Sequence, residues 1–139
     1  MTTHIPTYSI CNLIDEYNNM QDCVVLDLQE FISEKPDLVA SPHRHSFYQI
    51  LFILEGTGEH FIDFKTYTIQ KGELYFLVPG QIHKWIFDVT ARGIVINFNH
   101  NFFSSFLARR NYLEDFPFFI GNGEYSKVSL QNKFVDIQQ

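Results

Sequence analysis

This chain of 139 residues lacks the marks of an exported, membrane-bound or nucleic-acid-binding protein. Its start, MTTHIPTYSI, has no basic stretch followed by an apolar core, so no export signal is read there. No apolar run approaches the ~20 residues of a membrane span, and the cytoplasm is the expected compartment. Cysteine is scarce: Cys11 and Cys23 are the two, and they form no CxxC pattern. They read as idle thiols in a reducing compartment rather than as a disulfide or a metal clip. Basic residues number 10 against 16 acidic ones, for a formal charge of −6. They are scattered, with only Arg109 and Arg110 adjacent, whereas a duplex-binding surface needs clustered Lys and Arg. These residues by themselves are therefore not expected to bind DNA. Also missing are a phosphate-cradling glycine loop, a Ser/His/Asp order, internal repeats and low-complexity segments.

What the chain has in quantity is aromatic residues: 15 Phe and 7 Tyr, with a single Trp. Such residues suit strands, pockets and interfaces. The length fits one domain. Residues 1–23 read as a polar, irregular arm, with His4 in it and a short helical stretch over 12–17. Strands are predicted over 24–28, 47–54, 59–64, 65–69, 74–78, 83–87 and 94–98, with a proline-bearing loop over 34–42 and a turn at Arg92-Gly93. Short strands separated by regular turn signals argue for a sandwich or barrel spanning 24–100. Beyond it, Phe102, Phe103, Phe106, Leu107 and Arg110 recur at helical spacing. Leu130, Phe134 and Ile137 open a second amphipathic pattern that is unfinished at Gln139. Residues 101–139 are thus expected to supply a helical, apolar cover and a surface for a homodimer.

Three of the six histidines stand in order. His43-Arg44-His45 is followed by Gln49, then Gly56, Gly72, Pro79-Gly80 and His83. The spacing resembles the two cupin motifs, G-x5-H-x-H-x3-E-x6-G and G-x5-P-x-G-x2-H-x3-N. Asp37 stands in place of the opening Gly, Gln49 replaces the Glu, Pro79 sits one place late and Phe87 stands where the Asn belongs. With Leu54-Glu55-Gly56-Thr57-Gly58 and Pro79-Gly80-Gln81-Ile82-His83, the segment looks like the sensing domain of AraC-family transcription regulators. The resemblance covers roughly residues 24–120. It implies an all-β fold with minor α, a cupin (double-stranded β-helix, jelly-roll) barrel with a short C-terminal helical segment. It also implies a dimerisation segment and two helix-turn-helix modules, which would be the route to DNA. No such modules occur in these residues, so the chain is expected to be the sensing half alone.

Strand alternation puts His45, Phe47 and Gln49 on one face, and His83, Trp85 and Phe87 on one face. If both faces line the lumen, these six residues make an aromatic cup with a few polar groups, as small-molecule sites do. The expected ligand is a small polar metabolite, a sugar among them, and no catalysis or cofactor is expected. The alternative is a metal-dependent cupin enzyme, an isomerase or dioxygenase, using His43, His45, Gln49 and His83. Against it, Gln49 brings no negative charge. Trp85 reads equally as a stacking platform or as core. His60 and His100 read as exposed residues at a strand end and a helix start, without a role. Tyr48, Ile50, Phe52 and Leu54 form a second apolar face, for which the Phe-rich segment 102–119 is the natural cover.

Overall fold

A computed structural model describes residues 4–13, 22–102 and 127–129. Its strands are β1 (Thr7–Tyr8), β2 (Cys23–Asp27), β3 (Arg44–His45), β4 (Tyr48–Glu55), β5 (Gly58–Ile62), β6 (Lys65–Thr68), β7 (Glu73–Leu77), β8 (His83–Phe87), β9 (Arg92–Phe98) and β10 (Lys127–Ser129). Two helices, α1 (Leu28–Glu34) and α2 (Pro36–Ala40), lie between β2 and β3. The all-β expectation with minor α is met. A five-stranded antiparallel sheet runs β10-β7-β4-β9-β2, and a three-stranded one runs β6-β5-β8.

The inner faces of both sheets come from simple alternation. In β4, Gln49, Leu51 and Ile53 are buried while Tyr48, Ile50 and Phe52 are half-buried. Tyr75 and Leu77 of β7, Val95 of β9, Ile62 of β5 and Trp85 of β8 join the same core. A strand buried on one face pins its register, because a one-residue slip would turn that whole set outward. The turn after β4 uses Gly56 at φ 117°, where a Cβ would lie 2.5 Å from the Ala91 Cα. The hairpin between β5 and β6 turns on Asp63, at φ 45°. The Asp63 carboxylate accepts from the Ile82 amide (3.1 Å) and from Gln81 Nε2 (3.0 Å), tying the hairpin end to the approach to β8.

Three expectations are corrected. Residues 34–42 are not a plain loop: they hold the last residue of α1 and all of α2. Asp27 caps α1 by accepting from the Glu30 amide at 3.0 Å. Pro36 sits at the start of α2, where a missing N–H costs nothing. Arg92 and Gly93 are strand residues; the turn precedes them, with the Ala91 amide bonded to the Asp88 carbonyl at 3.0 Å. The N-terminal segment is not merely irregular. β1 pairs in parallel with β3, and Ile10 and Leu13 are buried in the core. The expected helical stretch over 12–17 lies mostly outside the described residues.

On the outer face of the five-stranded sheet, Phe98 and Tyr48 stack at 5.5 Å and Phe102 packs against them. The rest of the expected cover, 103–119, and the pattern at Leu130, Phe134 and Ile137 lie outside the described residues. β10 adds one feature with no sequence signal. Glu73, 3% exposed, is inside the sheet edge and is held by Lys127 Nζ at 2.5 Å. It also accepts from the Gln70 amide and from the Tyr75 hydroxyl (3.3 Å). Removing the cation strands a buried carboxylate. Lys127→Ala is therefore expected to cost about 2 kcal/mol in urea unfolding, and Glu73→Gln in that background should recover part of it. A Lys127→Ala midpoint equal to wild type would show that the ion pair contributes nothing.

Candidate functional site

The inner polar groups collect at one end of the space between the sheets. His43 and His45 arrive on the short segment before β4, because the His43 backbone pairs with His83 across an isolated bridge. Their rings then meet that of His83: the centroids lie 4.3 Å (His43) and 4.7 Å (His45) away. Gln49 follows on β4, and Trp85 on β8. His43, His45, Phe47, Gln49, His83 and Trp85 line one enclosed space. All six are 4% exposed or less. Phe87 is half-buried and stacks on Trp85 (5.4 Å, 11° between planes) but does not line the space.

The walls are completed from outside the two large sheets. Tyr8 and Leu13 come from the N-terminal segment, Phe31 from α1, and Leu38 and Val39 from α2. The space left is about 10 Å³, room for one water-sized centre. The cup that alternation implied is thus closed and nearly filled in this conformation.

His60 is corrected outright. It is 0% exposed, on the inner face of β5, opposite Trp85 in the ladder. The Trp85 indole N–H donates to His60 Nε2 at 3.0 Å, and His83 Nδ1 lies 3.3 Å from the same nitrogen. The sequence did carry a signal, since His60 shares parity with the apolar Ile62, but apolar Phe61 on the other face masked it. His100, by contrast, is exposed at a helix start, as expected. Asn97 was also missed: it is 0% exposed on β9 and accepts from Gln49 Nε2 at 2.8 Å.

Burial keeps the imidazoles neutral. Desolvation pulls His45 down to about 4; the hydrogen bond to the Phe47 carbonyl opposes this, the nearby His43 lowers it further, and the Gln49 side chain opposes it again. His60 and His83 are pushed well below the usual range, first by burial and then by their histidine neighbours. His43 is lowered by burial, partly offset by its bond to the Ser41 carbonyl. Among the described residues, four side-chain polar atoms are buried and make no hydrogen bond: His45 Nε2, Gln49 Oε1, His60 Nδ1 and His83 Nε2. Such atoms are rare in folded proteins, and each calls for an unseen partner or a function.

A metal ion is one partner to test. Neutral imidazoles are suitable donors, but among the described residues no three His, Cys, Asp or Glu side chains are placed to hold an ion. Among the described residues no carboxylate lines the space either. The set His43, His45, Gln49 and His83 therefore does not fit a metal centre in this geometry, and no chemistry is derived through one.

Comparison with known proteins bears on the same residues. Among curated proteins none matches the chain. A Cupin 2 conserved barrel domain protein from Salinispora arenicola CNS-205 is similar at 18% identity, over 51% of this chain and 64% of that one, with a TM-score of 0.40. This chain thus spans just under two thirds of that protein. The plu4264 protein from Photorhabdus luminescens is similar at 16% identity, over 70% and 88%, with a TM-score of 0.42. Oxalate decarboxylase from Bacillus subtilis is similar at 11% identity, over 81% and 28%, with a TM-score of 0.36. Overlaps this partial say nothing about chemistry. The family match is of another kind: the model described as AraC-like ligand binding domain covers residues 29–136, and the chain belongs to that family.

Proposed function

We propose that this domain is the effector-sensing part of an AraC-type transcription regulator. A small polar metabolite, with sugars the first class to try, would enter the space between the sheets and be held by His45, Gln49 and His83, with Phe47 and Trp85 as apolar walls and Phe87 behind Trp85. It acts by binding, without catalysis or a cofactor, in the cytoplasm. DNA would be reached through helix-turn-helix modules beyond these residues, in a homodimer of the whole regulator. The observation that carries this reading is the set of buried polar atoms with unused hydrogen-bonding capacity, enclosed by side chains of a ligand-binding family.

The closed space sets the mechanism. A metabolite larger than water needs Tyr8 and Leu13, or α2, to give way. The ligand then exchanges places with part of the N-terminal segment, and its differential affinity for the open form shifts the population. Binding should raise folding stability by about 2.7 kcal/mol at a hundredfold excess over Kd. The test is a thermal-shift screen of sugars and central metabolites, followed by titration of each hit against Gln49→Ala. The variant should bind about tenfold more weakly, since it removes a buried acceptor. A hit that binds wild type and variant alike would place the site elsewhere.

A further inference from the structure

We propose that the enclosed site selects effectors that donate hydrogen bonds, neutral polyols or amines, and turns away anions. This rests on the effector reading above and goes further, because the partners of each buried group fix which end of it is a donor. The Val24 carbonyl can only accept, so Asn97 presents Nδ2 to it at 3.3 Å. That leaves Asn97 Oδ1 to accept from Gln49 Nε2 at 2.8 Å, and turns Gln49 Oε1 to the interior. The Phe47 carbonyl takes the Nδ1 proton of His45 at 3.0 Å, so Nε2 of His45 is a bare lone pair. The Ser41 carbonyl does the same for His43 at 2.8 Å. The fourth anchor is a donor. The Trp85 indole can only give its proton, so His60 Nε2 is bare, and the His83 Nδ1 facing it must carry the hydrogen. His83 Nε2 is then bare as well.

Four chains of contact with four separate anchors thus end in the same polarity. Among the described residues, Gln49 Oε1, His45 Nε2 and His83 Nε2 are buried acceptors that receive no hydrogen bond, on side chains that line this space; Gln49 lies near enough to favour a proton on His45, yet burial keeps that imidazole neutral. Among the described residues around it there is no Lys or Arg. Arg44, between His43 and His45 in sequence, does not line the space, and its Nε donates to the Gly80 carbonyl at 3.1 Å. A carboxylate or phosphate would meet lone pairs without a counter-charge, in a dry site where such a mismatch is costly. A hydroxyl-rich or ammonium-bearing molecule would satisfy three acceptors at once.

Two measurements on the domain test this. Ring nitrogen NMR at pH 7.5 should find His43, His45, His60 and His83 neutral with the proton on Nδ1, the less common form in solution; a proton on Nε2 of His45 or His83 overturns the proposal. Thermal shift and calorimetry should then compare matched probes: xylitol against xylonate, glucose against gluconate and glucuronate, and putrescine, with Zn²⁺ run separately. Binding is expected for neutral or amine members, at least tenfold weaker for each carboxylate, and about tenfold or more weaker in Gln49→Met. Carboxylates that bind as tightly as their parents, and weaken as much in Gln49→Met, overturn donor selection while leaving the effector reading in place. A panel without any shift, or a shift with Zn²⁺ alone, removes the effector reading and this proposal together.

Discussion

Taking the domain from pH 7.5 to pH 5 is expected to lower its folding stability by about 2 kcal/mol through His45 alone, and by about 3 kcal/mol near pH 4. The unfolded chain takes up a proton near pH 6.5, while burial holds the folded His45 neutral down to about 4. Between those values the unfolded state binds more protons, so stability falls as pH falls. Above pH 6.5 both states are neutral and the curve is flat; below 4 both are charged and this contribution levels off. His60 and His83 shift in the same direction, for burial first and for their histidine neighbours second, so they steepen the slope. Urea unfolding at a series of pH values gives the slope directly. His45→Asn should remove about one proton from it. A stability that does not change from pH 7.5 to 5 would mean that these imidazoles are open to water.

The second large effect is steric. Gly93→Ala is expected to destabilise the fold by about 3 kcal/mol or more, enough to leave a marginal domain substantially unfolded. Gly93 sits opposite Ile53 in the ladder between β4 and β9, at a register irregularity that follows Ile53. A Cβ there would stand 2.1 Å from the Phe52 carbonyl oxygen and 3.2 Å from the Leu28 side chain. The first contact is with backbone inside a sheet, which cannot swing away as a side chain can. The strain would pass to Leu28, which is fully buried where α1 begins. Circular dichroism and urea midpoints of Gly93→Ala against wild type check this. A loss under about 1 kcal/mol would show that the sheet opens at this irregularity at little cost.

The parts of this fold that were legible in the sequence are those where one signal was unopposed. β8 was read with its observed ends, because Pro79-Gly80 closes the segment before it and His83 and Trp85 alternate with Lys84. β4 was read one residue early, although both its faces are apolar, because Gly56 and Gly58 punctuate it clearly. His45, Gln49 and His83 came from spacing, and their rings and amide do lie together. α2 is hidden because Pro36 and Pro42 read as loop residues, when Pro36 at a first helical position is a starter; α1 is too short, at seven residues, to show a helical period of its own. His60 and Asn97 were lost because a polar residue on an inward face looks, in one strand, like an ordinary solvent residue. Only the partner strand reveals otherwise: Trp85 opposite His60, and Gln49 opposite Asn97. Glu73 with Lys127 joins two segments more than fifty positions apart, a contact that no local pattern encodes.

The place of β9 between β4 and β2 has a bearing on how the chain closes on itself. All strands of the three-stranded sheet fall within residues 58–87, so their ends meet at small entropic cost. β2 is different: Cys23 meets Phe98, and that contact closes nearly the whole described chain into a single loop. Contacts of such long range come late and slowly in folding. The Val24 carbonyl that orients Asn97, and through it Gln49, belongs to this strand. The amide in the site therefore acquires its direction when the earliest strand of the large sheet docks on the last strand of its central ladder.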